Sequence, residues 1–214
     1  MEYGLYNGTK LQYSFEDLID MGVFKVKDGY ILTGAYINVC EAAEEGTLTE
    51  ADIEYIEENG LEDEDDFNRF SEELHGEIYL PPYIKEIGDS AFCALYHINK
   101  IVLPENLEAI RASAFASTGI TEIVIPESVT IIERCAFFNC KLTELKLPDK
   151  LKLLGTQNFA PKNCKIKFKG IEFDSVNEMK HIATENLDDL LEKYKIRTIN
   201  SVRNKQLEFD NTEK

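Results

Sequence analysis

The chain has 214 residues, 43% hydrophobic and 29% charged, and this ordinary globular composition excludes wholesale disorder. Its 40 acidic and 23 basic side chains leave a net charge of −17, which argues against nucleic acid or an anionic membrane as the partner. No apolar run approaches the roughly 18 residues that span a bilayer, and the first residues lack the basic and apolar regions of a signal peptide. We therefore expect a globular chain that stays in the cytoplasm and does not span a membrane.

A short helix is predicted near the N-terminus. Ser14 and Asp17 stand at the spacing of a capping box, in which each side chain bonds the other residue's backbone N–H. The helix should continue through Leu18 and Ile19 and end before Gly22.

The negative charge is concentrated between Glu41 and His75, where fifteen acidic residues accompany one basic residue, Arg69. Apolar spacing predicts two short amphipathic helices in this stretch, from about residue 50 to 60 and from about 65 to 74. Carboxylates are the ligands that Ca²⁺ prefers, but the ligand order and glycine of an EF-hand loop are missing. We therefore predict a solvated acidic surface without a metal site. The candidate acidic patch consists of Glu62, Asp63, Glu64, Asp65 and Asp66.

The dominant signal is an internal repeat of 22 or 23 residues. Four Leu-Pro or Ile-Pro pairs and four Ala-Phe pairs, the last changed to Asn-Phe, recur at this spacing. One unit has too few apolar residues to bury its own face, so the units must stack around one continuous core. The recurring residues are Pro81, Pro104, Pro126 and Pro148, and Phe92, Phe115, Phe137 and Phe159.

Each unit predicts a coil with two or three sides. The alternating segment from Ile101 to Pro104 predicts a parallel β-strand, with proline at its end where no ladder N–H is needed. A second short extended piece is predicted around Ile110. The segment Ala-Phe-x-x-Cys that follows predicts one turn of helix.

The pattern Ile98-x-x-Ile101-Val-Leu-Pro-x-x-Leu107-x-x-Ile110-x-x-x-Ala114-Phe115, with its repeats, resembles the BspA-like leucine-rich repeat family. The resemblance implies an α/β repeat solenoid, a right-handed coil of about four to five units with parallel strands. Residues 24–36 are similar to the strand-turn-strand unit that often precedes such repeats, and its usual continuation appears only at Gly76. The acidic stretch is therefore an insertion in one loop. Relatives in this family are mostly regarded as surface or secreted adhesion and interaction proteins.

We expect a helical cap at the C-terminal end, because Ser175 and Glu178 form a second capping-box pattern and apolar residues continue at helical spacing to Tyr194. This helix should lie against Ile131 and Leu153, the most apolar positions of the second strand row. The expected parts are an N-terminal cap and first strand unit (1–40), an acidic helical insertion (41–75), leucine-rich repeats (76–170), a helical cap (171–199) and a flexible tail (200–214).

The sequence does not predict catalysis, a metal or a cofactor. Five cysteines, an odd number without paired spacing, favour free thiols in a reducing compartment, and those in the repeats stand where small buried residues are needed. Cys93 and His97 are four apart, but a zinc site needs four ligands. A nucleophilic cysteine would need a positioned histidine, and neither that pattern nor a phosphate-binding or serine-hydrolase motif is present.

The repeat strands should expose two rows of side chains that include two neighbouring valines. Such a patch among charges favours an interaction surface, although the strand propensity of valine also explains it. We predict a non-catalytic protein-protein interaction module with an unidentified partner. The alternative is an acidic regulatory protein that binds a basic protein or cations through residues 41–75, and a cysteine enzyme is a minor third hypothesis. The candidate residues of the strand face are Lys100, Val102, Glu122, Val124, Glu144 and Lys146.

Overall fold

The computed structural model describes residues 2–34, 72–155, 164–169 and 171–173, the last three as backbone alone. Most of the predicted acidic insertion, the predicted helix after residue 175 and the predicted tail lie outside the described residues. Glu72 and Glu73 have helical backbone, and the rest of the helix predicted from about residue 65 to 74 falls outside the described residues or is not helical.

The described residues form one complete helix and thirteen short strands. They are α1 Phe15–Asp20, β1 Gly4–Asn7, β2 Lys10–Ser14, β3 Lys25–Lys27, β4 Ile31–Thr33, β5 Gly76–Tyr79, β6 Glu86–Ile87, β7 Ile98–Val102, β8 Ala109–Ile110, β9 Ile131–Ile132, β10 Glu144–Lys146, β11 Leu153–Leu154, β12 Lys165–Phe168 and β13 Ile171–Phe173.

The predicted N-terminal helix is confirmed as α1, including its capping box. The hydroxyl of Ser14 accepts a hydrogen bond from the Asp17 N–H at 3.1 Å, and the Asp17 carboxylate accepts one from the Ser14 N–H at 2.8 Å. These bonds stabilise the charged carboxylate and lower the pKa of Asp17. Phe15 and Leu18 are buried, so the helix covers the first coil with its apolar side.

Successive coils build two strand surfaces. One is a six-stranded sheet in the order β11-β9-β8-β6-β4-β3, parallel except for the hairpin β3-β4. The other consists of a sheet β2-β1-β5-β7 and a sheet β10-β12-β13, with parallel pairs β5-β7 and β10-β12. Between them in the chain, the stretch 122–124 joins β7 through a bridge between Lys100 and Glu122. This arrangement confirms the predicted coil of parallel strands.

The acidic stretch occupies one link between consecutive coils. Strands β4 and β6 are parallel neighbours, although the chain between them contains residues 34–85. A regular link from Ile110 to the next core strand residue, Ile123, takes 13 residues, whereas the link from Leu32 to Ile78 takes 46. This link is therefore 33 residues longer than a regular one, and most of the acidic stretch lies within it.

The columns predicted from the repeat form the core. Phe92, Phe115 and Phe137 are at most 1% exposed and stack with ring centroids 5.3 Å apart, at interplanar angles of 15–16°. Phe24 extends this ladder, with its ring 5.0 Å from that of Phe92. The aliphatic columns are buried as well. Their members are Ile84, Leu107, Val129 and Leu151; Ile87, Ile110, Ile132 and Leu154; and Ile101, Ile123, Leu145 and Ile166.

The third side of the coil is a turn, so the prediction of one helical turn at Ala-Phe-x-x-Cys was wrong. Two positions in each of three coils have left-handed backbone, with φ between 51° and 61°, and such residues interrupt a right-handed helix. Alternate N–H groups consequently donate to the next coil, as in the bonds from Ser90 to Ala112 and from Phe92 to Ala114. The left-handed residues are Ser90, Ser113 and Cys135, and Ala94, Ser117 and Asn139.

Strand hairpins occur at both ends of the surface that contains β5 and β7. At the N-terminal end β1 pairs antiparallel with β2 and with β5. This close pairing requires glycine at position 76, where φ is 122° and a side chain would collide with the Tyr6 carbonyl. At the C-terminal end β13 turns back antiparallel on β12. The segment predicted as a helical cap, 171–199, therefore begins with a strand. Residues 171–173 form this strand because their backbone pairs with β12.

Candidate interaction face

The strand face consists of the outward side chains of β5, β7, the stretch 122–124, β10 and β12. Alternation along each strand puts every second residue inside, so Ile101, Ile123 and Leu145 are buried while their neighbours face outward. All six candidate residues chosen from the sequence lie on this face, and Val124 is 84% exposed.

An apolar stripe crosses the strands at one end of the face. Tyr79 pairs with Val102 in the register of β5 and β7, and Val124 follows in the same column of the next coil. Tyr6 packs edge-on against Tyr79, with ring centroids 5.2 Å apart. The stripe therefore combines two half-buried tyrosines, one half-buried valine and one exposed valine.

The row beside this stripe is charged, and its charges have partners within the chain. The Lys100 ammonium lies 3.7 Å from the Glu77 carboxylate and 3.8 Å from that of Glu122. Further along, Lys167 contacts Glu144 at 2.9 Å. Surface pairs of this kind contribute about 0–1 kcal/mol each to stability. Their main effect here is to leave the row close to neutral beside an apolar stripe.

Glu77 also orients one tyrosine of the stripe. The Tyr79 hydroxyl donates to the Glu77 carboxylate at 3.0 Å. This hydrogen bond and the nearby negative charge raise the pKa of Tyr79 because they oppose its ionisation. The hydroxyl is thus held toward the charged row, while the ring contacts Tyr6 in the apolar stripe.

Tyr6 and Tyr79 were missed as site residues in the sequence analysis. Tyr79 could have been found, because the segment from Ile78 to Pro81 aligns with Ile101 to Pro104 and puts Tyr79 in the Val102 column. Tyr6 reaches the stripe only through the antiparallel pairing of β1 with β5, and the repeat contains no signal for that pairing.

The outward row of the six-stranded sheet becomes more apolar toward its C-terminal end, as the sequence predicts. Ile131 is half-buried and Leu153 is 39% exposed. The helix predicted to lie on them falls outside the described residues. Beside this row, Arg111 binds carboxylates of both neighbouring coils, at 2.6 Å to Glu86 and 2.9 Å to Glu133.

Two cysteines of the repeats, Cys140 and Cys164, are buried as the sequence predicts, whereas Cys93 and Cys135 are only half-buried. The Cys140 thiol donates to the Phe115 carbonyl at 2.9 Å and lies 3.4 Å from the Thr118 hydroxyl. Burial raises the pKa of Cys140 to about 11, and it raises the pKa of Cys164 to about 11 as well. Neither thiol is therefore suited to act as a nucleophile near neutral pH.

The described residues contain no group of three or more histidine, cysteine, aspartate or glutamate side chains that could hold a metal ion. His97 stacks instead on His75, with ring centroids 4.4 Å apart, and a ring nitrogen of His75 contacts the Glu72 carbonyl. The acidic patch Glu62–Asp66 lies outside the described residues.

Comparison with known proteins agrees with the coil. Residues 66–167 match the family model described as a BspA type leucine rich repeat region, in six copies. The matched residues are similar to BspA-type leucine-rich repeats. In this region the outward residues of β5, β7 and β10 form most of the strand face described above.

The chain also resembles a solved structure, described as a leucine rich cell surface protein from Faecalibacterium prausnitzii A2-165. The two are 21% identical over 40% of this chain and 32% of that chain, with a TM-score of 0.31. The chain thus spans about a third of the length of that protein. No curated protein matches the chain. In the part of the chain that is described, no helix has the length and apolar character needed to cross a membrane.

Proposed function

We propose that the chain is a non-catalytic protein-protein interaction module that binds its partner through the strand face. The main support is Val124, which is 84% exposed in an apolar stripe while the adjacent charges Lys100 and Glu122 are paired. Burying a valine side chain fully is worth about 1.5–2 kcal/mol, so a partner that covers the stripe gains free energy without having to neutralise this charged pair.

Strand propensity alone is a weaker explanation for Val124 than for Val102. Val102 lies in β7, but residues 123–126 are not in a regular strand and only the bridge at Glu122 links this stretch to its neighbour. A β-branched residue is favoured in a ladder because of its neighbours on the pleated surface. At position 124 much of that advantage is missing, which supports a binding role.

The test is quantitative affinity purification from native lysate with matched baits. The first variant, Val102→Asp with Val124→Asp, puts two charges on the stripe, and the control, Tyr96→Asp with Phe138→Asp, changes two exposed apolar residues of the turn side. We expect a saturable partner that the intact chain and the control retain equally and that the stripe variant loses by at least tenfold. Equal retention by all three baits would rule out the strand face.

A second candidate function is regulation by charge, through the acidic stretch 41–75. It is favoured by the net charge of −14 that this stretch carries out of −17 for the whole chain. A bait with residues 41–71 replaced by a short glycine-serine linker separates the two functions. A basic partner lost with this replacement, and lost from the intact chain between 0.05 and 0.5 M NaCl by screening over about 10 Å, would support the acidic stretch.

Helices in the acidic insertion and in the C-terminal cap remain part of the proposal, as does a cytoplasmic location. The odd number of cysteines, without the paired spacing of a disulfide framework, supports the location, because disulfides form mainly in oxidising compartments. Fractionation of the native cell with a specific antibody tests it. The far-UV circular dichroism spectrum of the chain with and without residues 41–71 tests the helices, and an unchanged helical signal would contradict them in the insertion.

A further inference from the structure

The charge of the coil reverses along its length. Residues 2–34 and 72–140 carry 15 carboxylates and seven basic side chains, a net charge of −8. Residues 141–155 and 164–169 carry seven lysines and two carboxylates, a net charge of +5. The last two described coils are therefore basic in a chain that is strongly acidic overall.

Five of these lysines surround one corner of the coil, where the chain leaves the strand face for the six-stranded sheet. Lys146 and Lys167 are register partners in β10 and β12, so their backbones lie about 5 Å apart. The turn closed by the bond from the Leu151 N–H to the Pro148 carbonyl carries Lys150 and leads directly into Lys152. We call Lys146, Lys150, Lys152, Lys167 and Lys169 the lysine corner.

The repeat itself does not require lysine at this corner. The column of Lys150 contains Tyr83, Asn106 and Ser128 in the earlier coils. The column of Lys146 contains Tyr79, Val102 and Val124, and the column of Lys169 contains only prolines before it. The same columns are buried in all these coils, so the packing of the core does not explain why lysine stands at these positions.

The existing partners of the corner are weak enough to be exchanged. Lys146 lies 3.4 Å from Glu127, with the lysine side chain 71% exposed, and Lys167 contacts Glu144 at 2.9 Å with both side chains about half exposed. Such pairs contribute about 0.2–1 kcal/mol in water. Lys150 and Lys152 are exposed and have no ion pair with any described residue.

The size of the lysine corner indicates which kind of anion fits it. It covers two neighbouring coils, whose backbones lie about 5 Å apart along the axis, and the few residues that round the turn. A stretch of four to six residues, about 13–20 Å when extended, fits these dimensions. A long polyanion such as nucleic acid, or a membrane surface, would extend past the corner and meet the rest of the chain, whose net charge is −22, so both are disfavoured.

We propose that the lysine corner binds a short acidic stretch of a partner protein. The lysine corner adjoins the apolar stripe, because Lys146 follows Val124 in the same column, and Lys146 and Lys167 belong to the strand face. Lys150 and Lys152 lie beyond the ends of the strands, in the turn, so a test at these two residues can fail independently of the proposed function. The carboxylates of the bound stretch would form ion pairs with Lys150 and Lys152 first. They would then compete with Glu127 for Lys146 and with Glu144 for Lys167.

The test uses the full chain and fluorescein-labelled hexaglutamate, with binding measured by fluorescence anisotropy at pH 7 in 50 mM NaCl. The corner variant is Lys150→Glu with Lys152→Glu. The matched control is Lys10→Glu with Lys27→Glu, two exposed lysines of the N-terminal hairpins, and it produces the same net charge of −21. Circular dichroism confirms that both variants fold.

We expect saturable binding that weakens at least tenfold in the corner variant and less than twofold in the control, and at least fivefold when NaCl is raised to 300 mM. Equal weakening in both variants would mean that only net charge matters, and absence of saturable binding to the intact chain would also overturn the proposal. Tighter binding of a twelve-nucleotide oligothymidylate or of phosphatidylserine vesicles than of hexaglutamate would overturn the class of partner.

Discussion

At the scale of single residues, backbone conformation decides the third side of the coil. The turn has two positions with left-handed backbone, and each position recurs in three coils at a spacing of 22 or 23 residues. None of these six residues is glycine. A left-handed conformation costs a residue with a Cβ about 1–2 kcal/mol. The hydrogen bonds that the turns make to the next coil offset this cost, and they form only when the coils are stacked.

The left-handed positions should therefore prefer glycine. Ala94 has φ 61° and is half-buried, so we expect Ala94→Gly to raise the free energy of unfolding by about 0.5–1 kcal/mol in urea denaturation. The control is Ala114→Gly, at a buried position that is not left-handed, which should lower it by about 1 kcal/mol. A loss of stability in Ala94→Gly as large as in the control would contradict the role of the turn conformation.

Cys140 should make stability depend on pH in alkaline solution. Its pKa is about 11 in the folded protein and near 9 for an unperturbed thiol, so between pH 9 and 11 the unfolded chain releases a proton that the folded chain keeps. Wild-type stability should therefore fall across this window by up to about 2 kcal/mol because of this thiol.

Urea denaturation of wild type and Cys140→Ala at pH 7.5 and 10.5 measures the effect. We expect the variant to be less stable by about 1 kcal/mol at pH 7.5, where it lacks the thiol's hydrogen bond, and the difference to shrink or reverse at pH 10.5. The deficit of Ala114→Gly should be the same at both pH values. A constant deficit for Cys140→Ala would contradict the prediction.

At the scale of elements, the phenylalanine ladder connects coils whose strands are only two to five residues long. Strands this short pair weakly on their own. The stacked rings join each coil to the next at a fixed spacing, and Arg111 does the same at the surface of three consecutive coils. The stability of any one coil therefore depends on its neighbours, as expected for a solenoid.

Phe115 is the ring with a stacked partner on both sides, so Phe115→Leu should lower the free energy of unfolding by about 2 kcal/mol. Phe138→Leu, at a neighbouring ring that is 46% exposed, should change it by less than about 0.5 kcal/mol. A double-mutant cycle between Phe92→Leu and Phe115→Leu should give a coupling of about 1 kcal/mol. Strict additivity would mean that the rings fill space without acting as a ladder.

At the scale of the whole molecule, charge is arranged in order along the chain. The acidic stretch enters between β4 and β5, at the N-terminal end of the coil, and the lysine corner lies at the other end of the described repeats. The apolar stripe of Tyr79, Val102 and Val124 occupies the coils between them. One apolar and one basic surface therefore lie next to each other on a single scaffold.

Much of the coil and of the strand face could be predicted from the sequence alone, because each structural requirement recurs in every copy of the repeat. The buried columns, the parallel strands, the outward position of Val102 and Val124, and the helix at Ser14 all follow from local patterns of period or capping. These patterns depend on interactions within one unit or between identical units, so they can be read without knowing the rest of the fold.

Tertiary structure alone decided the remaining features, because they depend on contacts between segments distant in sequence. The turn at Ser90 and Ala94 replaces a helix because its N–H groups bond to the next coil. Tyr6 joins the apolar stripe because β1 pairs with β5, about 70 residues away. The lysine corner assembles because β12 lies beside β10 and brings Lys167 next to Lys146. Stacking energy between coils is a property of the assembled solenoid, and no single segment of the sequence contains it.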